Sequence, residues 1–213
     1  MPRFPPTARG YDVSEVVSAF QKAVRRSDTH AALYWAYELD KSNFGAWAWK
    51  RMKVMCSEDI GPAAPGLAAD LRALYDNWMD ARKNARGGDT SEGVLYFTHA
   101  VIALATAPKN RVVDWAIWHH DNDHVERMEI PDEALDKHTL RGKRKQRGNE
   151  HFMESASMLR DFDGSLEELE AEYRQRAHRE HVEADPTLPD NPWAPRVEPA
   201  QSQLLPKTHH VDG

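Results

Sequence analysis

The run His119-His120-Asp121-Asn122-Asp123-His124 concentrates more ligand chemistry than any other part of the sequence. His120 and His124 stand four apart and would share one helix face, and Asp121 or Asp123 could complete a metal ligand set with them. The order His-Asp-x-x-His resembles a zincin helix. Asp stands where that helix needs Glu, however, and the shorter side chain would place a general base differently. A solvated helix end accommodates the same residues and is the expected reading. A metal-dependent enzyme using His120 and His124 is the alternative, and no cofactor or resident metal is expected.

A second candidate is Arg141, Lys143, Arg144, Lys145 and Arg147, five cations within seven residues, beside Gly142 and Gly148. Such a loop can wrap a phosphate backbone. The formal net charge of -6 argues against a broad DNA-binding face. The competing readings are docking onto acidic residues such as Glu167, Glu168, Glu170 and Glu172, or plain solvation. Gly142-Lys143 is the sole Gly-Lys pair. It is followed by Arg144 and has no glycine five residues before it. A phosphate-binding loop needs both features, so ATP hydrolysis by this chain is not expected.

The third group is a set of opposite charges far apart in sequence. Lys22, Arg25, Arg26 and Asp28 could meet Glu58 and Asp59 in a network at a helix junction. Such pairs fix geometry more than they add stability. A ligand-binding acid pair is the alternative. Trp35, Trp47 and Trp49 are the candidates for an interface, where tryptophan is enriched. Trp47 and Trp49 cannot share a face, because two helical residues turn the side chain by about 200°. The single cysteine, Cys56, excludes an internal disulfide framework and a thiolate metal cluster.

These residues need elements to hold them. Val13, Val16, Val17, Phe20 and Val24 recur at helical spacing. Ser27-Asp28 ends that helix and caps a second one carrying Ala32, Trp35, Ala36 and Leu39. Further helices are expected around Trp47, Met52 and Met55, around Leu67, Leu71, Leu74 and Trp78, and around Leu95, Ala100 and Leu104. A sixth should start at Pro108 and carry Val112, Trp115 and Trp118. No stretch alternates with period two between turn signals, and no internal repeat is evident. The expected architecture is all-α, a bundle of about 6–8 short helices. Residues 1–10 read as a flexible N-terminus, 11–125 as the helical core and 126–149 as an irregular basic segment. Residues 150–184 read as C-terminal helices and 185–213 as a disordered Pro-rich tail. Trp193 or Leu204-Leu205 in that tail could anchor a peptide motif, with a passive tail as the simpler reading. The N-terminus has no apolar core of a secretory signal, and no apolar run spans a bilayer, so a cytoplasmic protein with no membrane partner is expected.

Three strings resemble a known family. They are Ser18-Ala19-Phe20-Gln21-Lys22-Ala23-Val24-Arg25-Arg26-Ser27-Asp28-Thr29-His30-Ala31-Ala32-Leu33-Tyr34-Trp35, then Lys50-Arg51 with Ser57-Glu58-Asp59-Ile60-Gly61, then Ala105-Thr106-Ala107-Pro108-Lys109-Asn110. In that order they resemble the C-terminal region of the replication-associated recombination protein A and Werner-helicase-interacting AAA+ ATPases. A looser match includes Ile130-Pro131, Leu135, Asp136, Gly142-Lys143 and Gly148. Arg26 departs from the pattern, where the family usually has glycine. The resemblance covers about residues 11–148, without the ATPase. It implies a non-enzymatic module for homo-oligomerisation, described as tetrameric, or for binding a full-length AAA+ ATPase or replication proteins. DNA is a further possible partner.

Overall fold

A computed structural model describes residues 4–85, 91–121 and 127–184. Among these the protein is all-α, without a strand, and seven of its helices have nine residues or more.

The first helix, α1 (Val13–Arg25), starts where the Asp12 carboxylate accepts from the backbone N–H groups of Ser14 and Glu15. Its apolar stripe buries Val13, Val16, Phe20 and Val24. The chain reverses at Ser27, at φ 57°. Asp28 then caps α2 (Thr29–Lys41) by accepting from Ala31 N–H at 2.9 Å. Asn43 makes the next reversal, at φ 65°, into α3 (Gly45–Met55). The last turn of α3 widens into a π-turn, Cys56–Ile60. This turn stops at Gly61, whose φ of 49° suits a residue without Cβ.

Helices α4 (Leu67–Asn84) and α5 (Ser91–Thr106) pack on each other, and α5 also lies against α2. The core centres on Phe20, Leu39, Trp49, Met52, Ile60, Phe97 and Leu104. Trp49 meets Tyr75, Trp78 and Phe97 within 6 Å between ring centroids, in edge-on or tilted geometry. Helix α6 (Val112–His120) starts later than Pro108 predicts. The Asn110 side chain accepts from Val112 N–H at 2.9 Å and delays the first helical turn.

Beyond α6 the segment expected to be irregular is partly helical. It holds a 3-10 turn at Asp132–Ala134 and α7 (Leu140–Arg144), followed by α8 (Asn149–His151) and a second π-turn, Phe152–Ala156. The first of the helices expected from residue 150 therefore ends at Ala156, and residues 158–163 have no regular secondary structure. The last described helix is α9 (Leu166–Ala184). Ser165 and Glu168 form a capping box at its start, each side chain accepting from the other's backbone N–H. Helix α9 packs along α6.

Part of the segment read as a flexible N-terminus, Thr7 to Arg9, is tied to the bundle. Thr7 is buried, Ala8 N–H donates to Ser42 Oγ at 2.8 Å, and Arg9 donates twice to Glu38. Glu38 is only 1% exposed. Burial opposes its charge, but hydrogen bonds from Thr7 and Arg9 prevail and hold the carboxyl below its usual range. The segment is tied down because this buried carboxylate needs its donors. The Pro-rich tail lies outside the described residues.

Candidate assembly face and its charged junction

The three family-like strings come together at one residue. Asp59, on the π-turn after α3, has a carboxylate with no exposure. Arg25 of α1 donates through Nε to Asp59 Oδ1 at 2.7 Å and through Nη2 to Glu58 Oε1 at 2.9 Å. Asn110, from the third string, donates its backbone N–H to Asp59 O at 3.0 Å. Gln21 bridges both acids from α1, and Arg51 of α3 donates to Gln21 Oε1 at 3.2 Å.

Two members had no sequence signal pointing to them. Arg111 pairs with Glu58 at 3.3 Å, faces Asp59 Oδ1 at 3.6 Å and also pairs with Asp114. Burial raises the Asp114 carboxyl, with Arg111 opposing the shift and the nearby Glu58 and Asp59 adding to it. Two arginines, Arg25 and Arg111, thus face three carboxylates, and Arg51 joins only through Gln21. The network commits these paired charges to one another. It locks α1, the end of α3 and the start of α6 into one geometry.

The expected members Lys22, Arg26 and Asp28 do not join. Lys22 donates to Ser18 Oγ, and Arg26 to the Lys22 carbonyl. Asp28 is committed to capping α2. Lys109 donates to the carbonyls of Leu104, Ala105 and Ala107 and so closes the end of α5. Burial lowers its pKa. The junction also anchors α9. Asn110 Nδ2 donates to Leu166 O at 3.2 Å, and Glu170 accepts from Arg111 N–H at 3.1 Å.

Beside the junction lies an apolar face formed by α1, α3 and α6. One groove, of about 500 Å³, runs between α1 and α3 past Val17, Gln21, Trp47, Lys50, Arg51 and Val54. A second, of about 550 Å³, runs between α3 and α6 past Lys50, Lys53, Val54, Glu58, Val113 and Ile117. They share Lys50 and Val54. Trp47, Val54 and Ile117 are 42%, 41% and 56% exposed.

The three tryptophan candidates therefore separate. Trp47 sits on the open face, with Phe4 and Phe44 edge-on to it. Trp49 is 1% exposed and belongs to the core, which corrects its place among the interface residues. Trp35 is half-buried under Tyr11 and Tyr34.

The five cations are divided as well. Lys145 pairs with Asp132 Oδ1 at 2.7 Å, and Arg147 with the other oxygen of the same carboxylate. Both partners pull the Asp132 carboxyl down to about 2. Arg141, Lys143 and Arg144 are exposed. The acidic helix α9 does not supply the partners these cations were given as one option. Glu168 caps its own helix, Glu170 serves Arg111 and Glu172 pairs with Arg176. Gly142 is buried against the Asp136 carbonyl and cannot cradle a phosphate.

His120 lies with His119 against Tyr173 of α9, at 4.5–5.9 Å between ring centroids. His124 lies outside the described residues. Among those described, no three His, Cys, Asp or Glu side chains are placed to hold a metal. Cys56 is buried and its thiol pKa is pushed up by burial, so it is a poor nucleophile. No described helix is long and apolar enough to cross a membrane.

Residues 26–158, more than half of the chain, match the family described as MgsA AAA+ ATPase C terminal. The chain is 40% identical over 110 residues to an uncharacterized AAA domain-containing protein of Mycobacterium tuberculosis. It is 34% identical over 103 residues to replication-associated recombination protein A of Bacillus subtilis. These matches take in 51% and 48% of this chain, and 23% of each relative's length. The family match takes in Arg51, Glu58, Asp59, Asn110 and Arg111 of the junction, and the chain belongs to the family of MgsA AAA+ ATPase C-terminal domains.

Proposed function

We propose that this chain is a non-catalytic assembly module acting in DNA replication or repair, and that it associates with further copies of the same domain. The observation that carries this reading is the apolar face around Val54. Its residues stand at helical spacing on rigid elements, yet among the described residues Trp47, Val54 and Ile117 remain 41–56% exposed. The hydrogen-bonded junction behind the face holds it in one shape, which favours specific association over loose collapse. The resemblance implies homo-oligomerisation, so the occupant is a second copy, either of this chain or within a full-length AAA+ relative. The name of the Bacillus relative supports the link to replication and recombination.

Light scattering across a concentration series, at low and high salt, tests the proposal. A salt-resistant multiple of 24.3 kDa is expected. A monomer that also fails to bind a full-length homologue would end the reading. A second reading rests on the exposed Arg141, Lys143 and Arg144, which could contact DNA phosphates. Neutralising all three should then weaken DNA binding and flatten its salt dependence. An unchanged affinity excludes it.

A further inference from the structure

Exposed apolar side chains are concentrated in residues 127–162. Leu159 is 94% exposed, Met128 84%, Leu140 67%, Met153 and Met158 65%, and Phe162 63%. An ordinary surface scatters such residues singly, and a cluster of this size marks a contact surface. The segment is nonetheless ordered by its own contacts. Leu135 is buried, the Phe152 ring meets His138 edge-on, and Lys137 lies over the same ring at 4.4 Å. Its last part, residues 158–163, has no regular secondary structure and reads Met-Leu-Arg-Asp-Phe-Asp.

We propose that residues 158–163 of one copy seat in the groove between α1 and α3 of a second copy. Charge and shape both favour this occupant. The groove offers apolar walls from Val17, Trp47 and Val54, with Lys50 and Arg51 on its rim and no acidic side chain in its lining. The segment offers Leu159 and Phe162 as anchors, with Asp161 and Asp163 beside them and Arg160 leaving it a net charge of -1. A strip free of regular structure can turn both anchors to one side, and apolar anchors with flanking charge are a recurrent way to fill such a groove.

The segment does not fill its own groove, because none of its residues lines it. Its ends are also held elsewhere. Met158 N–H donates to Ser155 O, and the Leu166 carbonyl accepts from Asn110 at the junction. The strip thus leaves the bundle beside Asp59 and presents its anchors outward. Each copy gives one segment and receives one, so the contact closes reciprocally in a dimer or around a ring.

This inference rests on the assembly reading above, and the experiment separates the two. Light scattering would follow the wild type, Leu159→Asp, Lys50→Glu, Asp161→Lys/Asp163→Lys, and the combination of the last two sets. Circular dichroism would monitor the fold; Leu159 and Lys50 are surface positions whose substitution leaves the bundle intact. The expected result is an assembled wild type, association weakened at least about tenfold in Leu159→Asp and in each charge variant, and substantial recovery in the combination. An assembled wild type whose variants all assemble equally well overturns this contact and leaves the assembly role standing. Losses in the charge variants without recovery in the combination overturn the pairing of these two surfaces. A monomeric wild type overturns the inference together with the assembly role, and binding of a free 158–163 peptide to such a monomer would not restore it.

Discussion

Arg25 and Asp59 are 34 residues apart, yet Arg25 Nε donates to Asp59 Oδ1 across 2.7 Å. The carboxylate has no exposure, whereas the arginine side chain retains 32%. One end of the pair is therefore committed to the interior and the other reaches solvent. The same acid accepts at its backbone carbonyl from Asn110, which in turn holds the start of α9. Asp59 ties helices α1, α3, α6 and α9 together, and its loss should be felt at each of them.

Asp59→Ala should destabilise the fold by on the order of 3 kcal/mol, because it leaves Arg25 and Arg111 facing each other without the buried carboxylate. Urea denaturation measures the loss. A change below about 0.5 kcal/mol, the range of ordinary surface substitutions, would mean that the network is not structural.

Trp47 and Trp49 should behave oppositely. Trp49→Ala removes a buried ring packed on Tyr75, Trp78 and Phe97 and should cost about 3–5 kcal/mol. Trp47→Ala should change stability by less than about 1 kcal/mol, because the ring is already half in solvent, and should weaken association instead. Paired denaturation and light-scattering measurements distinguish the two effects.

Gly142→Ala should open residues 127–158 while sparing the bundle. A Cβ at this position would stand 1.8 Å from the Asp136 carbonyl oxygen, a backbone atom that cannot swing aside. The local cost is about 3 kcal/mol or more. Hydrogen exchange should show lost protection at Leu135–Thr139 positions and unchanged protection in α1 and α5.

The arm should also respond to acid. Lys145 and Arg147 hold the Asp132 carboxyl at about 2, below its unfolded value near 3.8. A carboxylate with a depressed folded pKa stabilises fully above the unfolded value, and that support fades as pH falls from about 4 through about 2. Protection in residues 127–158, taken relative to the intrinsic exchange rate at each pH, should fall over that window. Asp132→Asn should show the lower protection already at pH 7 and little further loss on acidification.

Much of this organisation was legible in the sequence because it rests on local rules. The stripe Val13, Val16, Phe20 and Val24 gave α1 its buried face, and Asp28 announced the cap of α2. The half-turn between Trp47 and Trp49 required one of them to face outward. Other features depend on distant partners. Arg111 carries no periodic signal, since its partners Glu58 and Asp59 lie more than fifty residues away. Asp28 bears the right charge for the network but its carboxylate was already taken by a backbone N–H. Helix α9 carries little apolar signal because its buried position Ala177 is small. Its docking relies on Tyr173 against His119 and on hydrogen bonds at Asn110 and Arg111. The basic run looked uniform, and only folding brought Asp132 to Lys145 and Arg147.

The central claim is that the face around Val54 is covered by another copy of the domain. The most direct test is the solution mass of Val54→Glu beside the wild type, with helical content compared by circular dichroism. Val54 lines both grooves and is 41% exposed, so a carboxylate there leaves the isolated fold intact and is forced into any interface. The account predicts an assembled wild type and a folded, monomeric variant. Equal masses for the two proteins would contradict it.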